Sequence, residues 1–180
     1  MGKFLLGLVV GLIVIPICVY MYFSSGSAPV ATKSTPMPFE KMLANLALHA
    51  RMRKEMPKSS PIPADEATFM AGAQVYKDNC AVCHGLPGQP QTAIALGMFP
   101  KPPKLTEGTG VSDDPPEETF WKVEGGIRMT GMPGFQTLLS PTQMWQVSLL
   151  LANSDKLPKT IKDSLTSVST PSPMNQTMTK

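Results

Sequence analysis

The stretch Cys80-Ala81-Val82-Cys83-His84 constrains this chain of 180 residues more than any other. The spacing C-x-x-C-H is that of covalent c-type haem attachment. Two thiols add across the two vinyl groups on one edge of a porphyrin, and two intervening residues let one helical turn present both sulfurs to that edge. The next residue, His84, then lies under the ring with an imidazole nitrogen for the iron. Two other chemistries compete for these residues. A redox dithiol needs only Cys80 and Cys83 and leaves His84 without a task. A zinc site needs further ligands, and the remaining cysteine and histidine, Cys18 and His49, stand at unsuitable spacings.

The N-terminal end carries a second strong signal. Residues Phe4 to Phe23 contain no charge. At about 1.5 Å per residue such a run reaches roughly 30 Å, the hydrocarbon thickness of a bilayer. Pro16 is tolerated in a membrane helix, and Tyr20, Tyr22 and Phe23 suit an interfacial belt. A cleaved signal peptide competes with this reading. The apolar run exceeds the usual signal core of about 7–15 residues, and no Ala-x-Ala site follows it. Cys18 is preceded by bulky Ile17, which argues against lipoprotein processing. The expectation is an uncleaved anchor at 1–23, in the bilayer through residues 4–23, with Lys3 holding the short end in the cytoplasm.

A linker spans 24–63. Ser24 to Met37 is Ser, Thr, Pro and Ala-rich and cannot bury a core. Within the linker, 39–55 reads as an amphipathic helix, with Phe39, Met42, Leu43, Leu46 and Ala50 on one apolar stripe and Arg51, Arg53 and Lys54 in its last turns. Packing against the following domain, docking to a membrane partner and lying on anionic headgroups all fit such a helix. His49, on the flank of the stripe, reads as a surface histidine.

The segment 64–157 reads as a small helical domain. Asp65 or Thr68 caps a helix that runs through Phe69, Ala73 and Tyr76 toward Cys80, and Gly72 on that helix allows another helix to approach closely. Gly85 suits its end. Residues 86–116 lack periodicity and are rich in Gly and Pro, which is compatible with a loop wrapped on a flat apolar cofactor. Ile94, Leu96, Met98, Phe99 and Leu105 are available to line it. The run Pro102-Pro103-Lys104-Leu105 offers a carbonyl for the second nitrogen of His84. Pro103 suits that role best, and Pro102 nearly as well. A short helix over 117–124 precedes Gly125 to Phe135, and Ser140-Pro141 opens a last helix with Met144, Trp145, Val147, Leu149, Leu150 and Leu151 on its apolar face. The tail 158–180 is expected to be disordered.

Thirteen methionines leave the sixth iron ligand open by composition. Met98 sits in the irregular loop, and Met144 belongs to an apolar helix face. Met129 and Met132 share the glycine-rich turn Gly125 to Phe135. Pro133 restrains Met132 toward extended geometry, a clamp that Met129 lacks.

Together, Cys80-Ala81-Val82-Cys83-His84-Gly85, then Gly131-Met132-Pro133-Gly134-Phe135, then a final helix with Trp145, resemble a class I single-haem c-type cytochrome over roughly 64–157. The resemblance implies an all-α fold wrapped around one covalent haem c. It implies Cys80, Cys83, His84, Met132 and Pro103 as cofactor-binding residues, with His84 and Met132 on the iron. It implies electron transfer without a small-molecule substrate. Such domains receive haem outside the cytoplasmic membrane, so the resemblance places the domain on the periplasmic side of a bacterial inner membrane.

The leading expectation is therefore a membrane-tethered electron carrier, not an enzyme, cycling between Fe(II) and Fe(III) and meeting redox protein partners. The alternative is a haem-relay subunit of a larger respiratory or dehydrogenase complex. A ligand-binding haem sensor, which needs an open sixth position, is a third. From 64 to 157 there are six basic and ten acidic residues, so the net positive charge of the whole chain resides in the flanking segments, and no nucleic-acid partner is expected.

Overall fold

The computed structural model describes residues 2–107 and 114–167, and it divides the chain into two units, Met1–Ala47 and Leu48–Lys180. The first unit begins with α1 (Gly2–Ser24), which runs unbroken through Pro16 and buries no residue. Its length and a mean hydropathy of 2.7 are sufficient for it to cross a membrane. Helix α2 (Glu40–Glu55) starts in this unit. The Glu40 carboxylate accepts the Met37 N–H at 2.9 Å, and Phe39 turns into the helix at a φ of 63°.

The second unit takes over at Leu48, inside α2, and not at Ala64 as the sequence suggests. The stripe Phe39, Met42, Leu43 and Leu46 is exposed, whereas Met52 is buried to 1% exposure and Leu48 and Met56 are half-buried. At about 100° per residue, positions 48, 52 and 56 lie on the face opposite the stripe. The helix is thus apolar on two sides, and the narrower side is the one turned into protein.

The core is built on three helices. Helix α3 (Glu66–Asn79) is capped by Asp65, which accepts the Thr68 N–H at 2.8 Å. Helix α7 (Pro141–Ala152) begins with a reciprocal capping box between Ser140 and Gln143. Helix α3 packs on α7 at Gly72, where an added Cβ would strike the backbone carbonyl of Gln146. The missing side chain is what permits that approach. Helix α6 (Pro116–Gly125) covers the other side of α7, and Phe120 stacks on Trp145 with ring centroids 4.3 Å apart. Two single turns, α4 (Ala81–His84) and α5 (Ala93–Gly97), complete the region after α3. No strand occurs among the described residues, so the all-α expectation holds.

The disordered tail expected from 158 is corrected by α8 (Lys159–Thr166). Ile161 and Leu165 are fully buried in the same core as Tyr76 and Leu150. Lys77 Nζ donates to the Ser164 carbonyl at 3.1 Å, and Thr160 donates to Glu66 at 2.9 Å, which pins α8 along α3. Leu157, Ile161 and Leu165 repeat every four residues, a short stripe hidden by polar neighbours. Residues 168–180 lie outside the described residues.

Candidate haem-attachment site

The end of α3 delivers the attachment turn. Cys80 closes α3 and opens α4, and its carbonyl accepts the N–H groups of Cys83 at 3.1 Å and His84 at 2.9 Å. One turn of backbone therefore carries both thiols and the imidazole. Gly85 ends it at a φ of 78°, a left-handed conformation that suits glycine. Tyr76, one turn before Cys80, donates its hydroxyl to the Gly85 carbonyl at 2.7 Å. This buried tie was not legible in the sequence, where Tyr76 read only as part of an apolar face. Burial pushes the Tyr76 phenol well above its usual pKa, so it stays a donor.

His84 Nδ1 lies 2.8 Å from the Pro103 carbonyl oxygen. A carbonyl can only accept, so Nδ1 carries the proton and Nε2 keeps its lone pair free. Burial, its main cause, lowers the His84 pKa, and the bond to Pro103 opposes that shift. The neutral ring is thereby favoured, and a neutral ring is what binds a metal. The neighbouring Pro102 carbonyl instead accepts from the Gln91 side chain at 3.1 Å.

The irregular segment after the motif is held by individual hydrogen bonds. Thr92 Oγ1 donates to the Val82 carbonyl at 2.6 Å, which ties the start of α5 to the attachment turn. Lys104 Nζ reaches the Gln89 carbonyl at 3.2 Å and Glu107 at 2.9 Å, and Glu107 also accepts the Gly88 N–H. Leu105 packs on the core, while Ile94, Leu96 and Phe99 are exposed.

The Met132 turn is built by crossing backbones. The Ile127 N–H donates to the Met132 carbonyl at 3.1 Å, and the Thr130 hydroxyl accepts the Met132 N–H at 3.1 Å. A Cβ on Gly126 would meet the backbone of Pro133 and Gly134, and one on Gly134 would meet Glu124 and Gly125. The chain therefore doubles back on the end of α6 only because both positions are glycine. Met132 packs against the core that contains Cys80. Met129, at a φ of 61°, is 93% exposed. The Met98 methyl lies over Gly131, beside Met132, a neighbour that the sequence did not reveal.

The donor set fits a covalent haem. Two thiols share one helical turn, the following imidazole presents a lone pair, and its other nitrogen is fixed by a carbonyl. A reactive dithiol fits less well, because burial, followed by the influence of Cys83, pushes the Cys80 thiol up to about 12. Among the described residues, no group of three or more His, Cys, Asp or Glu is placed to hold a metal ion, which leaves the zinc reading without ligands.

A helical unit of this kind, with its attachment turn at the end of one core helix, is similar to a c-type cytochrome domain of class I type. Its residues 67–149 match the family model described as cytochrome c oxidase, cbb3-type, subunit III. The chain is 27% identical over 97 residues to the quinohemoprotein alcohol dehydrogenase ADH IIB of Pseudomonas putida, covering 53% of this chain and 12% of that protein. It is 28% identical over 134 residues to ADH-IIG of the same organism, covering 69% and 17%. The match thus spans less than a fifth of the length of either relative. A chain of the Kuenenia stuttgartiensis reducing HAO-like protein complex Kustc0457/Kustc0458 aligns with a TM-score of 0.47 at 21% identity, covering 74% of this chain and 54% of that one.

Proposed function

We propose that the chain is an electron-transfer c-type cytochrome tethered to the bacterial inner membrane by α1, with the helical unit on the periplasmic side. The bond between His84 Nδ1 and the Pro103 carbonyl carries this reading, because it holds the imidazole neutral and leaves Nε2 free. Bound haem c would supply one-electron chemistry between Fe(II) and Fe(III). Cys80 and Cys83 would hold it through thioethers, and His84 and Met132 would be its axial ligands. With both ligands supplied by the protein, the site is suited to passing electrons and not to binding substrate.

The supporting observations for the ligand set are the attachment turn, the packing of Met132 on the Cys80 core and the exposure of Met129. Haem staining of denatured protein tests covalent attachment: the expected outcome is a stained band that survives acid-acetone extraction. Loss of the stain would refute it.

A second reading places the same domain as a relay inside a larger oxidoreductase. It is favoured by the relatives, which are quinohemoprotein alcohol dehydrogenases, and by the oxidase-subunit family model. Purification in mild detergent separates the two readings. A lone protein supports the carrier, and stable co-purifying subunits support the relay.

A further inference from the structure

Helix α2 spends its two apolar faces differently. Leu48, Met52 and Met56 turn into the second unit, with Met52 almost fully buried. The other face keeps Phe39 at 70%, Met42 at 58%, Leu43 at 56% and Leu46 at 63% exposure. A helix that has already satisfied one side normally carries polar residues on the other. At about 100° per residue Met42, Leu43, Leu46 and Ala50 fall within one arc, exposed Phe39 immediately precedes the helix, and Arg53 and Lys54 flank the arc further on. Neither Arg53 nor Lys54 forms a salt bridge among the described residues, whereas Arg51 pairs with Glu55. Lys41 lies on the opposite side, so the free cations next to the stripe are Arg53 and Lys54.

Two further observations indicate what covers this face. The exposed residues lie in the same unit as α1, the helix long and apolar enough to span a membrane, and only residues 25–39 separate the two helices. Charge is the second. From Ser24 to Met56 there are five basic residues, Lys33, Lys41, Arg51, Arg53 and Lys54, against two acidic ones, Glu40 and Glu55. The domain over 64–157 is acidic, so the segment that follows α1 contrasts with it in carrying a net positive charge. Apolar side chains on one arc with cations at its edge are the pattern of a helix lying in the headgroup layer. The stems of Arg53 and Lys54 can run along the apolar surface while their charges reach phosphate.

We propose that the Phe39–Leu46 face of α2 is an interfacial lipid-binding surface with a preference for anionic phospholipid. It would hold the start of the cytochrome unit at the membrane surface rather than on a free tether. This rests on reading α1 as a membrane anchor.

The test uses the full haem-loaded chain reconstituted into phosphatidylcholine vesicles with and without phosphatidylglycerol. A photo-reactive side chain is placed by Leu46→p-benzoylphenylalanine, and by Ala44→p-benzoylphenylalanine as an exposed control on the other side of the helix. Flotation of the vesicles reads the anchor, and mass spectrometry of the photo-adducts reads the α2 face. The expected result is a phospholipid adduct at position 46 that exceeds that at position 44. It should fall at least about threefold without phosphatidylglycerol, at high salt, or in an Arg53→Gln, Lys54→Gln background. A chain that fails to float overturns the anchor reading and this proposal with it. A chain that floats but gives equal adducts at 44 and 46, adducts to protein only, or adducts indifferent to phosphatidylglycerol overturns this proposal and leaves the anchor standing.

Discussion

The two sides of the site are held by different physics. On the His84 side, a long irregular segment is fastened by separate hydrogen bonds: Tyr76 to Gly85, His84 to Pro103, Thr92 to Val82, and Glu107 with Gly88 and Lys104. On the Met132 side, the chain is folded back on α6 by close backbone crossing at Gly126 and Gly134 and is packed on the core. Each hydrogen bond contributes about 1 kcal/mol net, so the first side is assembled from many small terms. The second side depends on a few steric conditions, each of which fails abruptly. Both sides rest on the α3–α7 contact, where the same steric logic is strongest.

The largest effect is therefore expected at Gly72. Gly72→Val would drive a branched side chain into the Gln146 carbonyl and push α3 from α7. We expect loss of cooperative folding or destabilisation of more than about 3 kcal/mol, measured by urea unfolding. Survival of wild-type stability would break the claim that this contact organises the unit.

Helix α8 comes next. Ile161→Ala removes a fully buried side chain and should cost about 2–4 kcal/mol. Thr160→Ala, which loses only the exposed bond to Glu66, should cost less than about 1 kcal/mol. Equal costs would mean that α8 is appended to the core and not part of it. Between these two lies Ser140→Ala, which removes the capping box of α7 and should cost about 1 kcal/mol.

The smallest effect concerns the hydrogen-bonded side and carries a pH signature. The Gly88 N–H first, and Lys104 second, hold the Glu107 carboxyl below its ordinary pKa of 4.5. A carboxylate whose folded pKa is depressed adds stability above its unfolded pKa and loses it as pH falls through the folded value. Segment 86–107 should therefore loosen only on the acid side of pH 4.5, as read by amide exchange, and the effect is small because Glu107 is exposed. Glu107→Gln should remove that acid step without altering exchange in α7.

Much of this arrangement is legible in the sequence. The cap at Asp65, the close approach at Gly72, the stop at Gly85 and the opening of α7 at Ser140-Pro141 each follow from what one residue type can do locally. The tie from Tyr76 to Gly85 was not legible, because the hydroxyl finds its partner only after α3 has turned into α4. Helix α8 was hidden because two buried residues among polar ones make a weak stripe, and Met52 because the stronger stripe on α2 faces away from the protein. The Met98 contact over Gly131 joins segments more than thirty residues apart, and neither has periodicity. In each case the missing information was tertiary.

The central claim is that the two sides converge on one iron, with His84 from the hydrogen-bonded side and Met132 from the steric one. The far-red absorption band that ferric iron shows with a thioether sulfur reads this directly. Met132→Ala should abolish the band and lower the reduction potential, because a soft thioether favours the reduced metal. Met129→Ala should leave both nearly unchanged, since that side chain is 93% exposed. A band that survives Met132→Ala and vanishes in Met129→Ala would contradict the account.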